Sequence, residues 1–520
     1  MKVLFVWPNK DQWGFKSMGL SLLSAILKRA GHEVELFDTT YIDFNFQENT
    51  GVRSRIKIFK PVDFSAYDVK KKKLDLEQEF LKKLKDFKPD IVGVSALSDE
   101  VDVGLKISQI TKEWNKDTVV IWGNKAATMA PEKILASDFV DYICIGEGVE
   151  FITEFVDCLV AKKNPENIKN LAFKRPDGTI QRNPLRPYFQ NLDSLPYFDW
   201  SIFDERHFLK PYDGKIYRGG DHMLFWGCPN FCTYCINPHY RKLYGPSAGI
   251  YLRRYSVPRI IEELKYLVKK WKVEFFKYHD EDFCLKPVAQ FQELADAYAK
   301  EIGVPFVAMA NARNVTEEKV QLMKKMNCVS ITLGVETGNN RLRKEVLKRV
   351  ETADEIVKAT KMLNAAGIRT SAFNMLAIPF ENRSTVMETI ALNRKAEFRY
   401  PNAGFFFPLD GTELREISIK NGFFDGDPTA TFQNGRPTLK FPDITSEELI
   451  ALRERFVLYI KFPDDFIPFI ERSEKKDEIG EKLLDALYQI YDDCVFANDG
   501  VWDAHGTEKE LVDGLKAIAS

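Results

Sequence analysis

Short apolar runs alternate with amphipathic segments over residues 1–160, a pattern typical of alternating strands and helices. The strand candidates are Val3–Val6, Val34–Phe37, Ile91–Val94, Val119–Trp122 and Tyr142–Ile145. Apolar residues at helical spacing predict a helix from Met18 to Ala30, and Gly31 is a candidate for its C-cap. Strands separated by helices in this way indicate a doubly wound, Rossmann-like parallel sheet, whose ligands bind at the carboxyl ends of the strands.

A second series of alternating strands and helices occupies residues 216–410. Its six strand candidates are Met223–Gly227, Val273–His279, Pro305–Asn311, Ser330–Glu336, Ser371–Ala377 and Ala403–Phe407. Helical patterns follow each of the first five strands. Six strands with helices between them predict a partial (βα)6 barrel of the TIM type, in which functional residues sit just after the strands.

Two further regions complete the predicted organisation. Residues 161–215 are rich in proline and irregular, and we interpret them as a linker between the two series. Residues 411–520 are more polar and mostly helical in pattern. The sequence therefore predicts an α/β chain in which a Rossmann-like domain, a linker, a partial barrel and a helical region follow one another.

The composition is that of an ordinary globular protein and argues against several classes of function. The chain has 520 residues, with 74 Lys and Arg against 76 Asp and Glu, which gives a formal net charge of −2. A charge this small gives no electrostatic footprint for nucleic acid. No apolar run is long enough to span a bilayer, and the start of the chain lacks the apolar core of a signal peptide. We therefore expect a cytoplasmic protein without a membrane span.

Three of the eight cysteines lie within eight residues, directly after the first strand candidate of the barrel. Cys228, Cys232 and Cys235 have the spacing C-x3-C-x2-C, and thiolates are suited to zinc or to an iron–sulfur cluster. His239 could complete a Cys3His zinc site. A cluster held by only three cysteines would instead leave one iron open to a small molecule, which favours catalysis over electron storage. Both alternatives are open on spacing alone.

The cysteine spacing, with the aromatic Tyr234 before the last cysteine, resembles the signature of radical SAM enzymes. The family's partial barrel would cover roughly residues 215–410. The resemblance implies that Cys228, Cys232 and Cys235 are the catalytic ligands of a [4Fe–4S] cluster, and that S-adenosylmethionine (SAM) binds its fourth iron. In the family, reduction then cleaves SAM to methionine and a 5′-deoxyadenosyl radical. Tyr234 would lie among the SAM contacts.

Further segments resemble the SAM-binding elements of the family, in the family's order along the chain. By this resemblance, Asp280 or Glu281 binds the methionine ammonium group and Arg313 binds the methionine carboxylate. Glu336 would accept hydrogen bonds from the ribose hydroxyls, and Ile378 would line the adenine. One such carboxylate alone would be interpreted as a surface or helix-capping group, but a series in order at strand ends favours a binding site.

The N-terminal region resembles the cobalamin-binding domain that often precedes radical SAM barrels. The resemblance covers about residues 1–160 and rests on the segments Met18–Leu20, Gly31–Val34, Ser95–Leu97, Pro131-Glu132 and Gly146–Gly148. It implies cobalamin contacts at strand ends, and the candidates are Ser95, Leu97, Gly123, Gly146 and Glu147. Trp13 and Phe15, in the first loop, would either face the cobalt or pack the loop.

Three departures from the family patterns bear on these expectations. The D-x-H-x-x-G motif that supplies an axial histidine to cobalamin is absent from this region, so we expect that no such histidine holds the cobalt. Asn124 and Ala377 stand where glycine is common in the family. A domain that keeps the fold without the cofactor is therefore an alternative.

These features predict a radical SAM enzyme that depends on cobalamin and transfers a methyl group to an unactivated carbon of a small-molecule substrate. One alternative is a radical SAM oxidation, cyclisation or rearrangement without methyl transfer. Another is a non-catalytic cobalamin carrier with a zinc site. From the family resemblance we expect a one-electron donor, flavodoxin or ferredoxin, as a partner, and we expect no nucleic acid partner.

Overall fold

The computed structural model describes residues 1–10, 13–44, 54–58, 60, 62–427 and 435–520. Over these residues the chain forms an α/β structure with two seven-stranded sheets and a two-stranded ribbon. Helices separate most strands of the two sheets, and further helices form the C-terminal part. The α/β class predicted from the sequence is confirmed.

The first sheet has the strand order β2-β1-β3-β4-β5-β6-β7. Its strands are β1 (Lys2–Trp7), β2 (Glu33–Asp38), β3 (Ile91–Ser95), β4 (Val119–Gly123), β5 (Tyr142–Cys144), β6 (Leu171–Lys174) and β7 (Ile180–Arg182). Strands β1 to β5 are parallel, as the sequence pattern predicts. The helices of this part are Met18–Arg29, Leu76–Phe87, Val101–Trp114, Asn124–Met129, Pro131–Leu135 and Val149–Val160. The side chains of Ser17 and Asp75 cap the first two of these helices.

Residues 161–215, predicted to be irregular, contain regular structure. Strands β6 and β7 extend the first sheet in antiparallel fashion. Strand β8 (Leu209–Tyr212) and the start of β9 (Lys215–His222) belong to the second sheet. The prediction missed β9 because its sequence, KIYRGGDH, is polar and glycine-rich. Its Asp221 and His222 are nevertheless buried, because partners from other segments compensate their polarity.

The first barrel strand was predicted at Met223–Gly227, and this prediction is wrong. The strand that occupies this place in the barrel is β9. Within the predicted range, only Phe225–Trp226 (β10) forms a strand, and it pairs in antiparallel fashion with Arg253–Arg254 (β11) outside the barrel sheet. The apolar run resembles a barrel strand because Leu224 and Phe225 are buried in the core.

The second sheet curls into a half-barrel with the order β16-β15-β14-β13-β12-β9-β8. Its remaining strands are β12 (Phe275–Tyr278), β13 (Phe306–Ala310), β14 (Cys328–Glu336), β15 (Arg369–Leu376) and β16 (Tyr400–Phe405). Six of the seven strands are parallel, and β8 is antiparallel to β9. The helices of this part are Ile236–Tyr244, Val257–Trp271, Val288–Glu301, Glu317–Lys325, Ala353–Ala365 and Arg383–Ala396. The predicted partial (βα)6 barrel is confirmed.

The C-terminal part is mostly helical, as predicted. Its helices are Glu413–Lys420, Ser446–Lys461, Ile467–Ser473, Glu478–Tyr491 and Glu508–Ala519. Leu452 and Phe456 of the second helix share an apolar core with Ala403 and Phe405 of β16. Within the described ranges, we find no helix with both the length and the apolar character needed to cross a lipid bilayer.

Candidate active site

The three clustered cysteines lie on the loop between β10 and the helix Ile236–Tyr244. Gly227 begins this loop with a φ of +94°, and a Cβ atom there would lie 2.5 Å from the carbonyl oxygen of Tyr251, so only glycine fits. Cys228 and Cys232 are buried, and Cys235 is half-buried at the N-cap of the helix. The Cys235 Sγ accepts hydrogen bonds from the backbone N and Nδ2 of Asn237, at 3.5 and 3.4 Å.

The thiols are close enough to influence each other's ionisation. Burial raises the pKa of Cys228 to about 12 and that of Cys232 to about 11, and the neighbouring thiols add to both shifts. Such thiols stay protonated unless a metal binds, because metal binding requires the thiolate. A set of three adjacent cysteines fits a cluster that takes one thiolate on each of three irons.

His239 does not complete a zinc site with these cysteines. Its Nδ1 lies 2.9 Å from the carbonyl oxygen of Gly411, which is its hydrogen-bond partner. In the part of the chain that the structure describes, no group of three or more His, Cys, Asp and Glu side chains could hold a single metal ion. The geometry therefore does not support the Cys3His alternative.

Asp280 and Glu281, the two candidates for the methionine ammonium group, have different surroundings. Asp280 is fully buried and accepts hydrogen bonds from the backbone N of Leu224 and Phe225, at 2.9 and 3.0 Å. Burial raises the pKa of Asp280 to about 6. Glu281 is exposed, and its charge acts on the thiols of Cys228 and Cys235. Asp280 therefore stabilises the segment that leads to the cysteine loop. Glu281 is the carboxylate that a ligand can reach.

Glu336 is linked to the cysteine loop through Tyr234. It ends β14 with a φ of +63°, next to a shift in the register of β14 and β15. The Tyr234 hydroxyl donates to Glu336 Oε1 at 3.3 Å and accepts from Arg349 at 2.7 Å. Arg349 also donates to the carbonyl of Gly334 at 2.6 Å and forms an ion pair with Glu351. The structure thus brings Tyr234 and Glu336 together. Their shared role in SAM binding stays a prediction.

Arg349 is a site residue that sequence reasoning missed. Its guanidinium lies 3.7 Å from Glu336 and is almost fully buried. Burial favours loss of its charge, but the hydroxyl of Tyr234 and the carboxylates of Glu336 and Glu351 outweigh this and raise the pKa of Arg349. The sequence shows Arg349 only as the last of five basic residues in the segment 341–349, and neither its burial nor its partners could be inferred from that.

Arg313 and Ile378, the other two predicted SAM contacts, differ in their exposure to solvent. The Arg313 side chain is 47% exposed, and its Nε lies 3.2 Å from Glu355, so the structure does not bring it to the cysteine loop. Ile378 is fully buried, in an apolar cluster against which Tyr234 packs. The preceding Ala377 has a φ of +61°, which explains why glycine is common at this position in the family. The ligand roles of Arg313 and Ile378 stay predictions.

Three of the predicted cobalamin contacts lie at the carboxyl edge of the first sheet. Ser95 ends β3, and its Oγ accepts a hydrogen bond from Asn124 Nδ2 at 3.2 Å. Leu97 donates its backbone N–H to Glu100 at 2.8 Å. A Cβ atom on Gly123, at the end of β4, would meet no atom within 4 Å. This edge is therefore open at Gly123, as a large ligand would require.

The same edge faces the cysteine loop. Burial raises the pKa of Cys235, and the positive charge of Lys125, which follows Asn124, acts in the opposite direction. The side chain of Met129, on the same helix, and that of His239 both lie within 3 Å of the position that a Cβ atom on Gly411 would take. The carboxyl edge of β4 and the loop with the three cysteines are thus neighbours.

Gly146 and Glu147, the other two predicted cobalamin contacts, touch the barrel instead of open space. A Cβ atom on Gly146 would lie 2.1 Å from the Tyr244 hydroxyl. The backbone N–H of Glu147 donates to that hydroxyl at 2.7 Å, and the Glu147 carboxylate lies 2.7 Å from Arg253. These residues join the two sheets in the structure, and their role as ligand contacts stays a prediction.

Trp13 and Phe15 lie between the first sheet and the half-barrel. Trp13 packs edge-on against Phe64, and Phe15 packs edge-on against His279 of the barrel. Both line a cavity of about 720 Å³ that extends into the half-barrel. They form part of the wall between the two parts of the chain, and their position relative to a cobalt ion stays a prediction.

Comparison with known proteins agrees with this arrangement. The family model described as "Radical SAM superfamily" matches residues 224–392, and the model described as "B12 binding domain" matches residues 15–156. An uncharacterized methyltransferase of Pyrococcus horikoshii, PH0819, is 24% identical over 79% of this chain and 87% of its own length. The anaerobic magnesium-protoporphyrin IX monomethyl ester cyclase of Rubrivivax gelatinosus is 23% identical over 82% of this chain and 71% of its own length.

A solved structure shares the fold over most of the chain. The radical S-adenosylmethionine methyltransferase TsrM from Kitasatospora setae, with cobalamin and a [4Fe–4S] cluster bound, superposes with a TM-score of 0.61. The match is 16% identical and covers 89% of this chain and 86% of TsrM. Since the two family models match the half-barrel with the cysteine loop and the first sheet, the chain belongs to the radical SAM enzymes that carry an N-terminal B12-binding domain.

Proposed function

We propose that the chain is a cobalamin-dependent radical SAM methyltransferase that methylates an unactivated carbon of a small-molecule substrate. The observation that carries this proposal is the meeting of three features at one mouth of the half-barrel. These are the cysteine loop, the pair Tyr234 and Glu336, and the carboxyl edge of β4 next to Lys125. Methyl transfer by this route requires both cofactors to face one cavity, and the proximity of these features supports the proposal.

Each side chain at this mouth has a task in the proposal. Cys228, Cys232 and Cys235 hold the cluster, and Glu281 binds the methionine ammonium group. Glu336 accepts hydrogen bonds from the ribose hydroxyls, and Arg349 holds its carboxylate in place through Tyr234. When bound, the cluster supplies the electron that cleaves SAM, and cobalamin carries the methyl group.

The relatives support methyl transfer and one alternative. The Pyrococcus horikoshii relative is described as a methyltransferase, whereas the Rubrivivax gelatinosus relative is described as a cyclase. The alternative function is therefore a radical SAM oxidation, cyclisation or rearrangement in which no methyl group reaches the product. Either reaction needs an external one-electron donor, such as flavodoxin or ferredoxin.

Anaerobic reconstitution with iron, sulfide and hydroxocobalamin tests the cofactor assignment. We expect the visible spectrum to show both chromophores and dithionite-reduced protein to form 5′-deoxyadenosine from SAM. Cys232→Ala should abolish this product. Cys158→Ala is the matched control, because Cys158 is half-buried, lies outside the cysteine loop and donates to the Lys163 carbonyl. Full cleavage of SAM by Cys232→Ala would contradict the cluster assignment.

SAM labelled in its methyl group separates the two reactions. We expect the reconstituted enzyme, incubated with a small-molecule extract, to place the label in a new product alongside 5′-deoxyadenosine. A new product without label, formed together with 5′-deoxyadenosine, would favour the alternative and contradict methyl transfer.

A further inference from the structure

The cysteine loop presents one large apolar side chain to solvent. Phe231 lies between Cys228 and Cys232 and is 54% exposed, whereas both cysteines are buried. Pro229, two residues earlier, is exposed as well. Single exposed apolar residues are common at protein surfaces. The case for a partner at Phe231 therefore depends on how the ring is held and on what surrounds it.

Arg241, on the helix that follows the loop, holds the ring of Phe231 from one side. Its guanidinium lies 4.0 Å from the centre of the ring, and it donates a hydrogen bond to the carbonyl of Pro229 at 2.9 Å. A cation over an aromatic ring is a stabilising arrangement. A ring that is ordered in advance loses little conformational entropy when a partner binds. Aromatic residues and arginine are also both enriched at protein interfaces.

The helix after the loop gives the surface next to Phe231 a positive charge. This helix, Ile236–Tyr244, carries Arg241 and Lys242 and no carboxylate. Lys242 is exposed. In the described part of the chain, neither cation forms an ion pair, and the partners of Arg241 are a carbonyl and a ring. This side of the loop therefore attracts a negatively charged surface.

The segment on the other side of the loop, residues 344–348, adds little net charge. Thr233 of the loop donates two hydrogen bonds to carbonyls of this segment, at 2.6 and 3.1 Å. The segment has two lysines, but it also contains Glu345, and Lys348 pairs with Glu413 at 2.5 Å. The positive charge of this surface therefore belongs mainly to the helix after the loop.

A partner that contacts Phe231 comes close to the cysteines. Phe231 is joined by a peptide bond to Cys232, one of the three residues that we assign as cluster ligands. Electron transfer between proteins becomes exponentially slower with distance. An electron donor that reduces a cluster behind these buried cysteines must therefore dock next to the loop, and Phe231 is the large apolar group that the loop offers it.

We propose that Phe231, Arg241 and Lys242 form the docking surface for an acidic protein that carries an exposed flavin, a flavodoxin. The proposal rests on the cluster assigned under the proposed function. The ring of Phe231 fits the flat apolar edge of a flavin, and the two cations fit carboxylates around that edge. In the step itself, the anionic reduced flavin loses one electron and the cluster gains it, and no covalent bond forms or breaks.

Two reductants test this surface on the reconstituted enzyme. Dithionite is small and needs no docking surface, whereas flavodoxin, reduced by its NADPH-dependent reductase, needs one. We expect Phe231→Ala to raise the KM for flavodoxin in 5′-deoxyadenosine formation at least about tenfold, as loss of an interface anchor predicts. The rate with dithionite should not change. Phe231→Trp keeps an aromatic ring and should retain most of the wild-type KM.

A charge reversal outside the loop gives an independent result. Lys242→Glu should raise the KM for flavodoxin about fivefold at low salt and leave the rate with dithionite unchanged. This variant decides the outcome where Phe231→Ala disturbs the loop and lowers both rates. A wild-type KM for flavodoxin in Lys242→Glu, together with either a wild-type KM or an equal loss with both reductants in Phe231→Ala, would overturn the proposal.

Binding measured directly does not depend on catalysis. In isothermal titration calorimetry of flavodoxin into the reconstituted protein, we expect the Kd to rise in both variants by the same factors as the KM. Added salt should weaken binding to the wild type more than binding to Lys242→Glu. No binding to the wild type, or binding of a ferredoxin that depends equally on Phe231, would overturn the assignment of a flavin carrier. Binding of transfer RNA in place of flavodoxin would overturn it as well.

Two controls match these changes at distant positions. Tyr67→Ala removes another exposed aromatic ring, and Lys300→Glu reverses an exposed charge on the helix Val288–Glu301. Neither should alter the KM or the Kd for flavodoxin. Absence of 5′-deoxyadenosine with dithionite in the wild type would contradict the cluster assignment. A normal rate with dithionite, with a KM for flavodoxin that no variant alters, would contradict only the docking surface.

Discussion

The buried guanidinium of Arg349 organises the part of the site that we assign to the ribose. It contacts Tyr234, Gly334 and Glu336, and it forms an ion pair with Glu351. Glu351 in turn accepts a hydrogen bond from Asn311 at 3.1 Å. Without the cation, the buried carboxylates of Glu336 and Glu351 would lose their ion-pair partner, which is a costly state.

We therefore expect Arg349→Met to lower the free energy of unfolding by about 3–5 kcal/mol. It should also weaken SAM binding, because Glu336 loses the group that holds it. Arg349→Lys should have an intermediate effect, since it keeps the charge but loses the planar fork. Urea unfolding and equilibrium dialysis with SAM measure the two effects. Arg472→Met, which removes a more exposed arginine paired with Asp477, is the control, and an equal loss there would contradict this role.

Local motifs predict some residues of the site but not their surroundings. The three cysteines, Tyr234 and Glu336 follow from short segments with fixed spacing, and the structure places them together. Arg349 lies 115 residues from Tyr234, and Tyr244 lies 97 residues from Glu147. Such contacts depend on how distant segments pack, which no local pattern records.

Sequence analysis missed strand β9 because the burial of its polar residues depends on contacts with distant elements. Hydrophobic periodicity located the other parallel strands to within a few residues, but β9 carries Asp221 at a fully buried position. That burial is possible because Lys16, from the first loop of the N-terminal sheet, and Lys210 of β8 both pair with Asp221. The burial of Asp221 in this strand is therefore supported by a partner that lies 205 residues earlier in the chain.

We expect Asp221→Asn to lower the free energy of unfolding by about 3–5 kcal/mol, because two buried amines lose their counter-charge. Adding Lys16→Met should recover part of this loss, since one of those amines is then removed. Urea unfolding of the single and double variants gives the coupling energy. Glu301→Gln, which breaks the exposed pair with Lys265, should leave stability unchanged. Strictly additive effects of the two changes would contradict the buried ion pair.

The loop after β5 contacts the helix after the cysteine loop, and this contact is one of several that join the two sheets. Gly146 lies against the hydroxyl of Tyr244, which itself stacks on Tyr188 with ring centroids 4.2 Å apart. Glu147 pairs with Arg253 next to it. Since the helix Ile236–Tyr244 begins at Cys235, a displacement of Tyr244 changes the position of the cysteine loop relative to the carboxyl edge of the first sheet.

We expect Gly146→Ala to separate the two parts of the site while leaving each intact. Its Cβ atom would lie 2.1 Å from the Tyr244 hydroxyl, so helix and sheet must move apart. 5′-Deoxyadenosine formation should persist, whereas transfer of the labelled methyl group to product should fall at least about tenfold, because misplacement by about 1 Å can cost a hundredfold in rate. Faster hydrogen exchange at residues 142–148 and 236–244 would report the displacement.

Two further variants separate this contact from backbone strain. Gly178→Ala introduces the same strain, since Gly178 has a φ of +83°, but its Cβ atom would meet no atom within 4 Å. It should therefore leave methyl transfer unchanged. Adding Tyr244→Phe to Gly146→Ala removes the hydroxyl nearest the new methyl group and should restore part of the transfer. If Gly178→Ala lowered methyl transfer equally, strain and not the contact between the sheets would govern the coupling of the two cofactor sites.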